Sequence, residues 1–359
     1  MLSEEVGLPR SFLGKSRSRL GGALPLRCVA MKKCILGGME SQEGPNSGTV
    51  GSVSNPIVTL VTSEAFPNLD SDEAGLPDAL RERGIEPRIA IWNDPDVDWS
   101  QAGTVVIRSV RDYAPNRQQF IEWSKTVPRL LNPAHVMEWN TDKHYLQDLA
   151  KLGMPTINTI WLEPSENLTR HQVHTRFPAF GDFVVKPAIS SGGRGTGRYT
   201  STDAKSRMNA INDAMHHLER GRTVMVQRYH QEVDQSGEIS LIYLNGLPSY
   251  MVKKEPMLHP RFRSGDSLQE EIAHSKQATE DEWRWGERIR LALHKYIKQK
   301  SGRDEQLLFN RVDIVRGGPN DEEEFYVMEI SLIDGSLYLS ADEQNLEQFA
   351  DAIAVRAFW

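Results

Sequence analysis

Hydrophobic and polar positions show no regular period over residues 1–55 and become periodic from about residue 56. Ile57 to Val61, Pro87 to Ile91 and Thr104 to Arg108 are short apolar runs bounded by turn residues, which predicts strands. Between and after them, Glu73 to Arg83 and Asn116 to Lys125 carry helical spacing, and Gly84 stops the first as a C-terminal cap would. Strands alternating with helices predict a parallel sheet with crossover helices over about 56–130. Asn140 to Gly153 reads as one amphipathic helix with Asn140 or Thr141 as N-cap. Pro155 to Trp161 is extended. Then come a strand (Asp182 to Lys186), a glycine-rich loop, a helix (Ala204 to Leu218) and a strand (Thr223 to Arg228). Asn245-Gly246 between Glu238–Leu244 and Pro248–Lys253 predicts a hairpin. A long helix over 279–299, strands Leu307 to Val315 and Glu324 to Ser331, and a helix over 343–356 complete the pattern, with no internal repeat.

Composition narrows the class. The chain has 359 residues, 39% hydrophobic and 25% charged, with a net charge of -7. These are globular values, and the length allows two or three domains. An acidic chain argues against nucleic acid as a partner. No apolar run approaches the roughly 18 residues of a membrane span. Cys28 and Cys34, both near the start, exclude a disulfide framework and a thiolate metal site, and fit a reducing cytoplasm. Residues 1–55 carry seven basic and four acidic side chains, so this segment is about +3 and the rest about -10. Glu4 and Glu5 argue against a transit peptide. The segment reads as a disordered leader, or as a start set too early, with Met31 and Met39 as later candidates.

Three places carry chemistry. In Phe183 to Gly197 an apolar strand delivers Lys186 into a loop of Ser190, Ser191, Gly192, Gly193, Gly195 and Gly197. Glycines let several backbone N–H groups converge on an anion, and a lysine adds a point charge. The loop lacks the Gly-Lys-Ser/Thr of a Walker A motif and opens no helix, so a flexible hairpin remains its plain alternative. Arg311-Val-Asp313 and Glu329-Ile-Ser331 lie on successive strands. Period-2 alternation sets Arg311 with Asp313 on one face, and Glu329 with Ser331 on one face. Facing carboxylates suit Mg²⁺ on nucleotide phosphates; a cross-strand salt bridge to Arg311 is the alternative. Lys143, in the first turn of its expected helix, is disfavoured by the macrodipole, which an anion would offset; a solvated surface lysine is the alternative. Thr223 to Tyr229 enters a polar segment, His230 to Gly237, whose backbone could read a base edge, with Glu232 or Glu238 accepting from ribose hydroxyls.

The order Thr-Asp-Lys143, Val-Lys186-Pro, Val-Gln227-Arg-Tyr, Gly237-Glu238, Arg311-Val-Asp313, Glu329-Ile-Ser331 resembles the ATP-grasp superfamily over residues 56–358. Trp92 to Trp99, Ile107 to Ser109 with Asp112-Tyr113, Trp139 to Lys143 and Asp334 to Tyr338 resemble the glutathione-synthetase-type branch that includes the cycloserine-forming O-ureido-D-serine cyclo-ligase. The resemblance implies an α/β and α+β ATP-grasp fold with an N-terminal α/β pre-ATP-grasp domain (56–139). It also implies a central region with a small lid subdomain (140–235) and a large subdomain (236–359). The implied activity is an ATP- and Mg²⁺-dependent ligase, with Mn²⁺ as a substitute, that joins a small-molecule carboxylate to a nucleophile through an acyl phosphate. A kinase, or a nucleotide-binding module without ligase activity, is the alternative; a homodimer is a further expectation.

By the same resemblance Lys143 and Lys186 hold phosphates under the 190–197 loop. Gln227, Arg228 and Tyr229 meet adenine and Glu238 the ribose. Asp313, Glu329 and Ser331 bind metal, and Arg311, with Lys186, is catalytic. Ser331 stands where the family usually has Asn, or an acid in some branches, and a hydroxyl is a weaker ligand that water or Asp334 would have to supplement. Arg263 reads as substrate- or phosphate-facing or as part of a mobile lid. Ser63, Arg108, Ser109 and Ser336 are substrate-pocket candidates, the first three from their places at strand ends.

Overall fold

The computed structural model describes residues 54–260, 262, 263, 265, 267 and 269–359. The expectations for the leader, including Cys28 and Cys34, lie outside the described residues apart from positions 54 and 55. Strands β1 (Ile57–Thr62), β2 (Glu86–Ile91), β3 (Thr104–Ile107) and β4 (Leu130–Leu131) form a parallel sheet in the order β2-β1-β3-β4. Helices α1 (Leu76–Glu82) and α2 (Arg117–Thr126) make crossovers, as strand–helix alternation predicts. The first helix is shorter than expected, because Pro77 and a preceding helical turn at Ser71–Glu73 fix its start.

The helix expected over 140–153 is two helices, α3 (Ala134–Asn140) and α4 (Tyr145–Lys151). Asp142 causes the break: its carboxylate accepts from the His144 N–H at 3.1 Å, offering the backbone an alternative to the helical ladder. Lys143 therefore sits in the turn before α4 rather than in a first helical turn. The macrodipole penalty does not apply to it, and Asn140 ends a helix instead of capping one.

A second, antiparallel sheet follows. It is built from β5 (Thr159–Leu162), β6 (Asp182–Pro187), β7 (Gly197–Thr200) and β8 (Val224–Arg228), in the order β5-β8-β6-β7. Helices α5 (Arg170–Arg176) and α6 (Ala204–Glu219) cover one face through Val173, Phe177, Ala210 and Ala214. After the short α7 (Glu232–Ser236) comes a five-stranded sheet of β9 (Glu238–Leu244), β10 (Leu247–Lys254), β11 (Ala273–Lys276), β12 (Phe309–Arg316) and β13 (Phe325–Ser331), ordered β11-β10-β9-β12-β13. Asn245 and Gly246 both have positive φ, 48° and 77°, which is the type I′ geometry the Asn-Gly pair predicts. Helix α8 (Glu280–Ser301) starts with a Thr279–Glu282 capping box and packs on this sheet through Trp285, Ile289 and Leu293.

The last helix, α9 (Glu343–Ala357), turns back to α1, and Phe349 and Ile353 share one core with Val58, Leu60 and Leu80. Two asparagines lock the first sheet to the third. Asn132, at φ 60°, donates to the carbonyls of Phe309 and Leu332 and accepts from the Leu308 N–H. Asn140 donates to Ile330 O and accepts from Leu332 N. Each satisfies buried backbone groups that β-pairing cannot reach.

Arg108 is buried (1% exposed) and pairs with Glu73, its Nε 2.8 Å from Oε1. The guanidinium lies over the rings of Phe309 and Phe349. Ser109 donates to the other Glu73 oxygen and accepts from the Asp70 N–H, while Ser63 donates to Ser109 O. The three substrate candidates thus form a structural knot under the strand ends. Breaking a buried pair by removing one partner costs about 3–5 kcal/mol. Arg108→Met should lower unfolding free energy in denaturant titration by about that amount, leaving substrate KM per folded molecule unchanged.

Candidate active site

A cavity of about 920 Å³ opens between the second and third sheets and the loops above the first. Lys143, Lys186, Ser190, Ser191, Gly192, Gly193, Gln227, Arg228, Tyr229, Glu238, Arg311, Glu329, Ser331 and Ser336 all line it. The sequence-derived candidates therefore converge from seven separate stretches of chain. Ser63, Arg108, Ser109, Arg263 and the expected metal ligand Asp313 do not line it. Arg263 turns instead to α6, where its Nε lies 2.7 Å from Asp213.

The glycine loop leaves β6 and folds over the cavity. Gly192, Gly193 and Gly195 have φ of 61°, 70° and 72°, which β-carbon-bearing residues rarely adopt. Lys143 fixes the start of the loop, donating to Ser190 O at 3.0 Å, and lies 3.5 Å from Glu329. The chain after β10 docks on the loop's outer side: Gln269 N donates to Gly192 O and Gly195 N to Gly265 O. Lys186 reaches the cavity from the middle of its sheet. Among the described residues its ammonium has no hydrogen-bond or ion-pair partner. Burial pushes its pKa below the usual lysine value, only partly offset by Glu329.

At one end, Ile157, Val184, Val233, Met257, Leu258 and Met328 give an apolar slot beside Gln227 to His230. Gln227 is fixed by donating to Thr159 Oγ1 at 2.8 Å. Tyr229 lies under the Arg198 guanidinium, 3.5 Å from its ring centre, and Arg198 also holds Asp182, Asp234 and Leu258 O.

At the other end, the antiparallel register sets charges in a row. Glu238 faces Lys254 on β9–β10, Asp313 faces Ser240 on β12–β9, and Asp313 faces Glu329 on β12–β13. Lys254 donates to Glu238 at 2.7 Å and to Asp313 at 2.9 Å, and Arg311 donates to the same Asp313 oxygen at 2.9 Å. Ser240 donates to the other oxygen at 2.6 Å. Asp313 is 1% exposed. Burial alone would raise its pKa, yet Arg311 and Lys254 hold it below the usual carboxylate range. For Arg311 burial opposes the charge, but Asp313, then Tyr338, Glu271 and Glu329, push its pKa well above normal. Lys254 is raised likewise by Asp313 and Glu238 against burial.

The paired carboxylates are thus present, whereas the ion pair of Arg311 runs to Asp313 on its own strand and not across to Glu329. Lys254, which the sequence shows only as the end of a strand, was missed. Glu271, in the chain after β10, was missed too; it accepts from Tyr338 and lies 3.9 Å from Arg311.

Asp313 pairs with Glu329 across β12–β13, and Ser331 follows two residues on; Glu329 and Ser331 line the cavity, whereas Asp313 does not and both its oxygens already accept from Arg311, Lys254 and Ser240. Among the described residues, though, no three acids or histidines form a complete metal cage. Two carboxylates without a full cage match Mg²⁺, which keeps waters and takes substrate phosphates as ligands. The donors fit the ion in type.

The family model for the N-terminal domain of D-cycloserine synthetase DcsG matches residues 58–132. A cycloserine biosynthesis protein DcsG from Streptomyces lavendulae is 30% identical over 306 residues, covering 84% of this chain and 98% of its own. A crystal structure of D-cycloserine synthetase DcsG superposes with a TM-score of 0.72, at 30% identity, covering 84% of this chain and 99% of that one. A D-alanine–D-alanine ligase from Bacillus anthracis complexed with ATP shares the fold at TM-score 0.54 and 14% identity, covering 84% and 97%. The chain belongs to the D-cycloserine synthetase family of ATP-grasp enzymes and is an ATP-dependent ligase.

Proposed function

We propose that this ligase uses ATP and Mg²⁺ to activate a small-molecule carboxylate as an acyl phosphate, which an amine then attacks to close an amide or a ring. The observation that carries the reading is Lys186, a half-buried ammonium at the cavity wall with no partner among the described residues, beneath a glycine loop and opposite Glu329. Leaving a cation unpaired there is costly, and phosphate oxygens would compensate it. Lys143 and the 190–197 loop would share that load, the slot beside Gln227, Arg228 and Tyr229 would take adenine, and Glu238 would take the ribose. Asp313, Glu329 and Ser331 would hold Mg²⁺, or Mn²⁺ in its place, and the ion would neutralise charge on the phosphates.

Arg311 would face the carbonyl oxygen as it becomes an oxyanion. Asp313 keeps the guanidinium charged and fixed before the reaction starts, so no reorganisation is needed at that moment. Ser336, whose carbonyl accepts from Arg311 at 2.9 Å, would border the substrate. The likeness to cycloserine synthetases favours intramolecular closure, with O-ureido-D-serine the first compound to test. We assign the parts to a pre-ATP-grasp domain (56–139), a lid-bearing central region (140–235) and a large subdomain (236–359). The enzyme would be cytoplasmic and a homodimer, with no nucleic-acid partner. Among the described residues no helix is long and apolar enough to cross a membrane.

Screening amino acids, D-amino acids and ureido compounds for ADP release with mass detection of products tests the activity. Lys186→Ala and Asp313→Asn should each abolish Mg²⁺-dependent ADP release while the protein stays folded by circular dichroism; near-normal release from either folded variant would refute the assignment.

Arg311→Lys keeps a charge but loses the fork. Turnover should fall about 10²- to 10³-fold with ATP affinity changing far less. A variant that melts lower yet turns over normally per folded molecule would leave Arg311 as a structural salt bridge only.

Lys186 also sets a pH limit. Its ammonium must be charged to bind phosphate, and its pKa starts below 10.5. ATP affinity by calorimetry should therefore weaken as pH rises through that lowered value. Lys186→Met should bind weakly and lose this pH dependence.

A further inference from the structure

Asp334 follows β13 in the Asp334-Gly-Ser-Leu-Tyr338 segment and lines the same cavity. It has no part in the charge row of the third sheet. One carboxylate oxygen, Oδ2, accepts from the Ser191 hydroxyl of the glycine loop. The other, Oδ1, accepts from no group among the described residues. Its backbone is pinned against Arg311. A β-carbon at Gly335 would stand 2.5 Å from Ser331 Cβ and 3.4 Å from Arg311 Nη1, so only glycine allows the approach. Arg311 Nη1 donates to Ser336 O at 2.9 Å. The carboxylate is thus held on a rigid turn between the glycine loop and the guanidinium.

We infer that Asp334 is the general base of the second half-reaction, taking the proton of the amine that attacks the activated carboxylate. The inference rests on the ligase reading above. The nitrogen lone pair forms the C–N bond, and the carbonyl π electrons move to the oxygen facing Arg311. The N–H proton passes to Oδ1 of Asp334. The oxyanion then collapses, breaking the C–O bond to phosphate, which leaves as inorganic phosphate. A base must lie within hydrogen-bond reach of the proton it takes, and a cavity-lining carboxylate oxygen with no donor among the described residues, on a turn whose next two residues touch Arg311, offers one.

The surroundings tune it. Burial raises its pKa above the usual carboxylate range, opposed by the Ser191 hydrogen bond, Arg111 and Lys143, while Glu329 adds to the rise. The Ser191 bond also ties the base to the glycine loop, so the base is oriented when the loop is down.

Hydroxylamine separates the half-reactions, because it attacks an acyl phosphate without enzymatic base assistance. With a carboxylate substrate from the screen, ATP and Mg²⁺, Asp334→Asn should lose ligation product by about 10²- to 10⁴-fold. Its ADP release and hydroxamate yield in hydroxylamine should stay within a few-fold of wild type. Asp334→Glu, which keeps a carboxylate, should recover part of the product. Loss of hydroxamate and product together in Asp334→Asn would overturn the assignment in favour of a metal, phosphate or folding role. An unchanged product rate would overturn it outright. If wild type itself gives no hydroxamate with any carboxylate, the acyl-phosphate reading has failed, and this assignment with it.

Discussion

Asp313 can remain charged inside the protein only because Lys254 and Arg311 both donate to one of its oxygens and Ser240 donates to the other. An isolated buried carboxylate would be protonated or would not be tolerated. The cluster exists only in one register of the third sheet, with β10, β9, β12 and β13 aligned so that Glu238, Lys254, Asp313, Arg311 and Glu329 share a face. A slip of one residue would turn the row to the other face. The fold and the site are therefore specified by one constraint. The apolar residues of the opposite face, Leu241, Val312 and Val327, set the register by packing under α8, and the charges follow.

The cluster also shows why electrostatics here favours chemistry over stability. Burying Lys254, Arg311 and Asp313 against one another yields little net stability, since desolvation cancels most of the attraction. It does hold a guanidinium whose pKa is pushed well above normal and whose nitrogens donate to Asp313, Ser336 O and Tyr338. Around it, Lys186 is the opposite case, a cation whose surroundings disfavour its charge. One cation already compensated and one with no partner among the described residues would suit the proposed binding of phosphate at one point and stabilisation of a new charge at another.

Much of this was legible in the sequence because the periods are short and local. Alternation along β12 and β13 gave the facing acids, Asn245-Gly246 gave the hairpin, and the glycine loop after Lys186 gave the cavity roof. The remainder depends on distance in space. Nothing near Arg108 in sequence announces Glu73 or the Phe309 and Phe349 rings that bury it, so a strand-end arginine was read as a ligand. Arg263 has the same history with Asp213. Lys254 gained its role only when β10 paired with β9 and so came beside β12. The break at Asp142 was hidden because Thr-Asp before an amphipathic run looks like a cap, whereas here the aspartate stops one helix and precedes another.

The proposed ligation passes through the acyl phosphate. The most direct measurement is to label the substrate carboxylate with ¹⁸O, run the reaction with unlabelled ATP, and weigh the released inorganic phosphate. Attack of the carboxylate on the γ-phosphate, followed by displacement at the acyl carbon, must carry one labelled oxygen into each phosphate. Phosphate free of label, released at the rate of product formation, would contradict the account.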